Sequence, residues 1–229
     1  MYRRLYWALA HLGLMSFAAA FAMGFRHDPQ APLANVGFNV GLFTLFIAVH
    51  IVMMMPAFKR TFFGNPEGTP PERRLYVTIA VVTWVALYVL HKPVPGFGFA
   101  SPLWLQFVGL CALLLSVVAF FEFATFESLA GLLGLPGAPL SHSVGAETPL
   151  MTEGAYAAVR HPMYRAACFL VLSSLLMHPH AGQLLFVALC AASFLGFIPV
   201  EERQLLSARG AEYRAYMDRT PSRVFKGIW

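Results

Sequence analysis

Charge is what this sequence lacks most. Asp, Glu, Lys and Arg make up 12% of its 229 residues, about half the share usual in a soluble domain. Cysteine is scarce too: Cys111, Cys168 and Cys190 are the whole set, and all three sit inside apolar runs. An odd, buried set of three excludes a disulfide framework and reads as small hydrophobes. There is no CxxC pair and no HExxH, so no metal site is expected, and there is no phosphate loop. "GFGFAS" (96–101) is Gly-spaced but has no strand before it, which excludes a dinucleotide fingerprint. The basic excess, net charge +5, is spread over loops and does not point to nucleic acid.

Apolar sequence fills the space that charge leaves. Hydrophobic residues make up 58% of the chain and the mean hydropathy is +0.63. Six apolar runs stand out, near 6–25, 36–57, 75–91, 103–125, 164–178 and 182–199. A helix needs about 20 residues to cross the ~30 Å hydrocarbon core. The expected fold is therefore an all-α integral membrane protein with about six transmembrane segments. The last two, separated only by "HPHAG", read as a tight helical hairpin. "MYRR" plus the first run imitates a secretory signal, but its length favours a retained span.

Fourteen of the sixteen Lys and Arg residues fall on one side of this arrangement; Arg26 and Lys92 are the other two. The positive-inside rule then puts both termini in the cytosol, in a multi-pass protein of the cell membrane. Residues 1–125 form a four-span half, and 126–229 a second half with a long cytosolic connection. The segment 56–74 reads as a helix-breaking cytosolic loop. "FESLAGLLGL" reads as a short interfacial helix through Leu129, Leu132 and Leu133. Residues 201–220 read as an amphipathic cytosolic helix interrupted near Gly210, and Phe225 and Trp229 as interface anchors.

Ionisable groups inside a membrane are expensive and mark functional candidates. His11 and His50 lie about 9 Å into their spans and Glu122 about 6 Å, at 1.5 Å per residue. Arg160, His161, Arg165, Glu201 and Glu202 sit at the ends of the hairpin. All fall in one leaflet. Groups strung across the full depth, as a transporter needs, are missing. Each has a plainer alternative: a histidine can bond a neighbouring helix, and Glu122 can snorkel. Of two adjacent carboxylates at a helix end, at least one must point inward.

"GAYAAVRHPMYRA", an apolar hairpin and "EERQLLSARGAEYRAYMDRTP" carry an ordered set: Gly154, Tyr156, Arg160, His161, Pro162, Tyr164, Glu201, Glu202, Gly210, Tyr213 and Tyr216. This set resembles the C-terminal half of the isoprenylcysteine carboxyl methyltransferase-like superfamily, which includes phospholipid methyltransferases and NnrU-related proteins. His50, Met53, Pro56, Phe58 and Lys59, followed by "ERRLYV", resemble its bacterial methanethiol S-methyltransferase branch. Where Ala166 stands the family often has Gly.

The resemblance implies S-adenosyl-L-methionine as methyl donor. Cofactor contacts are then expected from Tyr156, Val159, Arg160, His161, Pro162, Tyr164, Glu201, Glu202, Tyr213 and Tyr216. Arg160 and His161 can hold the donor's carboxylate by charge-assisted bonds. One of the two glutamates can take its ammonium or ribose hydroxyls, and the tyrosines can stack on adenine or face the sulfonium. Arg160, His161 and His50 are the candidate catalytic residues, and His11, His50 and Glu122 are the candidates on the acceptor side. A thiol acceptor needs a nearby base or cationic field. The implied activity is S-methylation of a small thiol such as methanethiol. A phospholipid or prenylcysteine carboxyl methyltransferase, or a non-enzymatic NnrU-like protein, are the alternatives. A closed small pocket favours the thiol, and a long lateral groove favours a lipid-like acceptor.

Overall fold

The computed structural model describes residues 20, 23–64, 69–123 and 149–228. Among them the chain is helical, with two isolated β-bridges and no strand. In order the described helices are α1 (Ala34–Met54), α2 (Pro56–Phe63), α3 (Pro70–Leu90), α4 (Leu103–Phe123), α5 (Ala155–Ala158), α6 (Pro162–Met177), α7 (Ala181–Arg209) and α8 (Ala211–Arg219). α1, α3, α4 and α7 are long and apolar enough to cross a membrane. α6 has 16 residues, about 24 Å of helix, short of the ~30 Å core. Among the described residues, five of the six expected runs thus appear as four full-length helices and one short one. The first run, with His11, lies outside the described residues apart from its last few, as do Leu129, Leu132, Leu133 and Trp229.

Local chemistry sets the helix ends. Pro56 cannot continue the hydrogen-bond ladder of α1, so Met55 turns extended (φ −65°, ψ 132°) and α2 starts at the proline. The segment read as a loop from residue 56 is therefore helical through Phe63. Thr69 caps α3 by accepting from the Glu72 amide at 3.3 Å, with prolines at the first turn where no N–H is needed. α7 runs through Pro199 and past the glutamates to Arg209. The expected amphipathic helix of 201–220 is thus the end of α7 plus α8. Gly210 (φ 53°) makes that break, a left-handed geometry that side chains disfavour.

Neighbouring helices pair antiparallel. α1 meets α3 where Asn39, buried, exchanges two hydrogen bonds with the Lys92 backbone, at 2.8 and 3.0 Å. α4 and α6 pack through small residues. Ser116 donates to the Ala166 carbonyl at 2.8 Å, and Ser173 donates to the Gly109 carbonyl at 2.7 Å. A Cβ on Gly109 would come within 3.0 Å of Met177. In hydrocarbon such close approach supplies the packing that the hydrophobic effect supplies in water. Ala166 is buried, and its carbonyl takes part in this seam.

An aromatic core of Phe25, Phe43, Trp84, Tyr88 and Phe186 ties α1, α3 and α7 together. Phe25 stacks on Phe186 at 4.3 Å between centroids. Outward-facing Trp104, Phe107 and Phe121 are each more than 60% exposed, as suits surfaces facing lipid. The two ends of the bundle differ. One gathers Arg160, His161, Glu201 and Glu202. The other gathers His27, His91, His178 and His180.

Candidate functional site

Glu202 is the centre of the polar end. It is 4% exposed and accepts from Arg160 Nε at 2.7 Å, His161 Nε2 at 3.2 Å and Arg223 Nε at 2.9 Å. Arg160 Nη1 also donates to the carbonyls of Thr220 and Pro221, at 2.7 and 2.6 Å. The amides of Arg160 and His161 donate to the carbonyls of Ser222 and Arg223. The C-terminal segment is thereby sewn onto the Arg-His pair. Pro162 occupies the first position of α6, and His161 leaves helical geometry (φ −125°, ψ 67°). That departure lets one imidazole face both carboxylates: Nδ1 lies 3.6 Å from Glu201 Oε2.

The tail tyrosines buttress this hub. Tyr213 and Tyr216 are 1% and 2% exposed, and the Tyr216 hydroxyl donates to the Tyr156 carbonyl at 2.8 Å. Burial pushes the Tyr216 phenol up to about 12, and burial likewise raises Tyr156 and Tyr213. All three stay neutral hydroxyls at ordinary pH. Gly154 starts α5 at φ 59°, a conformation suited to glycine. Val159 and Pro162 are fully buried beneath the pair.

Two adjoining cavities open beside the hub. The larger, about 460 Å³, lies between α1 and α7; Tyr164, Glu201 and Gln204 form its polar end. The smaller, about 200 Å³, is walled by aromatic rings and holds His50, Tyr76, Tyr164 and Cys190. They share Phe43, Ile47, Met54, Tyr164, Ser193 and Phe197. His50 Nδ1 lies 2.6 Å from the Phe46 carbonyl. A carbonyl only accepts, so Nδ1 carries a proton, and in the neutral ring Nε2 keeps its lone pair. Tyr76 meets His50 edge-on at 5.5 Å between ring centroids.

The candidates thus separate. His50, Tyr164 and Glu201 line cavities. Arg160, His161 and Glu202 form the buried hub next to them. Glu122 lines neither cavity; it accepts from Arg165 Nη2 at 2.7 Å on the α4–α6 side. Among the described residues no cluster of His, Cys, Asp and Glu can hold a metal ion, and the three cysteines are unpaired thiols.

Sequence comparison supplies the family. A methanethiol S-methyltransferase of Mycobacterium tuberculosis is 30% identical, over 83% of this chain and 78% of its own length. The chain belongs to the methanethiol S-methyltransferase family. Methanethiol S-methyltransferase 2 of Bradyrhizobium diazoefficiens is 28% identical over 98% of this chain and 92% of its own length. Methanethiol S-methyltransferase 1 of the same organism is 31% identical over 79% of this chain, which covers 64% of that relative. No family model and no solved structure matches. Family and fold together make this a helical membrane protein with a methyltransferase role.

Seen within this methyltransferase family, three features escape a reading that ranks residues by charge. Tyr76 stands in "ERRLYV", but a phenol at the start of an apolar run looks like an interface residue. Gln204 sits one turn beyond Glu201 and so shares its face, a spacing visible in the sequence. The hub carbonyls of Thr220 and Pro221 carry no side-chain signal at all.

Proposed function

We propose that the chain is an S-adenosylmethionine-dependent methyltransferase that S-methylates a small thiol such as methanethiol. One observation carries this reading. The polar wall of Tyr164, Glu201 and Gln204 adjoins an aromatic pocket that presents a histidine lone pair. The first suits a cationic donor; the second suits a compact apolar acceptor with one proton to lose.

The residues fit the donor chemically. Glu201 offers a carboxylate to its ammonium, and Gln204 and Tyr164 offer hydrogen bonds to its polar groups. The Arg160 guanidinium is already engaged by Glu202 and two carbonyls. We therefore assign Arg160 and Glu202 the role of positioning residues, which hold His161 and Glu201 in place. Tyr156 supports the same wall, and Tyr213, Tyr216, Val159 and Pro162 support the hub. When bound, the donor supplies an electrophilic methyl group on a sulfonium.

His50 Nε2 takes the thiol proton, which raises the fraction of nucleophilic thiolate. Tyr76 orients the sulfur by its hydroxyl. The rings of Phe46, Trp84, Phe194 and Phe197 exclude water and hold sulfur and methyl in line. In this reading the site faces the cytosol, both termini are cytosolic, and the first apolar run adds His11 to the acceptor side. The acceptor pocket draws on both the 1–125 and 126–229 halves. The bilayer is the remaining partner, without nucleic acid.

The test is calorimetric titration of purified protein with S-adenosylmethionine, then gas chromatography of dimethyl sulfide after adding methanethiol. Donor binding and sulfide formation are expected. Absence of donor binding overturns the enzyme reading; donor binding with transfer only to a phospholipid or prenylcysteine overturns the thiol reading.

A further inference from the structure

The larger cavity runs well beyond its polar end. At about 460 Å³ it falls in the range that holds drug-sized ligands, about 300–1,000 Å³. It is also long. Phe43 and Met54 both line it and lie about 16 Å apart along α1 at 1.5 Å per residue. The donor's polar groups find partners only at the Tyr164–Glu201–Gln204 end, so the donor does not account for the far end.

That far end is apolar in effect as well as in composition. Thr44 and Ser193 line it, yet their hydroxyls donate to carbonyls of their own helices, Val40 at 2.7 Å and Leu189 at 2.8 Å. Gly196 on α7 keeps the groove wide; a Cβ there would meet no atom within 4 Å. The groove shares Phe43, Ile47 and Tyr164 with the His50 pocket. A sulfur near His50 can therefore carry a tail that lies between α1 and α7.

We infer that the acceptor class extends to thiols with an unbranched apolar tail, the tail lying in the α1–α7 groove. This rests on the S-methyltransferase reading and deepens it. The balance is that of any thiol methylation. His50 Nε2 takes the S–H proton. The thiolate sulfur forms a bond to the methyl carbon of a sulfonium donor, S-adenosylmethionine. The donor's sulfur–methyl bond breaks, and its electron pair stays on the donor sulfur as a neutral thioether. Because tail and groove are both apolar, such a thiol partitions into the bilayer first and meets the site from there.

The experiment compares methanethiol, butanethiol and octanethiol with 2-mercaptoethanol in proteoliposomes, with labelled S-adenosylmethionine as donor. Methylation of octanethiol at least as efficiently, in kcat/KM, as of methanethiol is expected, with 2-mercaptoethanol poorest. Gly196→Leu and Ala192→Leu narrow the groove. Each is expected to lower the octanethiol-to-methanethiol ratio of kcat/KM about tenfold or more, the scale of a lost apolar contact. Transfer to methanethiol alone overturns this inference and leaves the thiol reading standing. An unchanged ratio in both variants also overturns it. Transfer to no thiol overturns both.

Discussion

Glu201 and Glu202 are adjacent in the chain and live in different worlds. Glu202 is buried, and three cationic or imidazole side chains share its two oxygens. Glu201, one step round the helix, keeps a side chain 37% exposed and turned to a cavity. Successive helix positions point about 100° apart, so one pair of residues can brace a site and line it at once. The comparison teaches that polar residues at one membrane-embedded end need not share a task. Those whose bonds are all made within the protein hold geometry, and those that also border a cavity can meet a ligand.

Mutations can break this distinction. Glu202→Ala should have the largest effect. It leaves the buried Arg160 guanidinium without its counter-charge, which costs about 3–5 kcal/mol. Thermal unfolding in detergent should show a large loss, with donor binding lost alongside it. His50→Ala should leave unfolding and donor binding near wild type and lower thiol turnover about a hundredfold, the low end for loss of a general base. Glu201→Gln sharpens the contrast most directly. It should weaken donor binding about tenfold, as for one charge-assisted bond, with little change in unfolding temperature. If Glu201→Gln and Glu202→Ala destabilise equally, the division between bracing and lining is wrong.

The histidine-rich end gives a pH test. His91 is lowered to about 4 by burial, with Arg26 and His180 nearby; His180 is lowered to about 4 by burial, with His27 and His178 nearby. An unfolded histidine protonates near 6.5, so between about 6.5 and 4 the unfolded chain binds more protons than the folded one. Stability should therefore fall as pH drops through that window and level off below it. His180 Nδ1 accepts from the Gln183 amide at 3.1 Å and caps α7. His180→Asn keeps a capping acceptor and should flatten the slope, read as unfolding temperature against pH. Tyr216→Phe should show the smallest effect. It removes one neutral hydrogen bond, about 1 kcal/mol, with donor affinity unchanged.

Much of this was legible beforehand. The apolar runs at 36–57, 75–91, 103–125 and 182–199 appear as α1, α3, α4 and α7, because hydrocarbon demands that each crossing satisfy its own backbone. Pro162 at the start of α6, and His161 released from it, follow from proline sterics. Pro56 was legible as a break but not as the start of α2, because proline both ends one helix and opens the next. Glu122 was grouped with the other ionisable residues because depth counting places a side chain along the membrane normal and not around it. Its direction, toward Arg165, is a matter of helix rotation.

By itself the sequence determined that this chain is helical, lies in a membrane and concentrates most of its lysines, arginines and glutamates at one end. Those properties depend on residue type and spacing along one axis. Tertiary structure alone decided which of two neighbouring glutamates braces the hub. It also decided that Ala166 serves the α4–α6 seam, and that α1 and α7 stand apart far enough to leave a long apolar groove. Such outcomes depend on which faces of distant helices meet, and no local pattern in the chain encodes the distance between them.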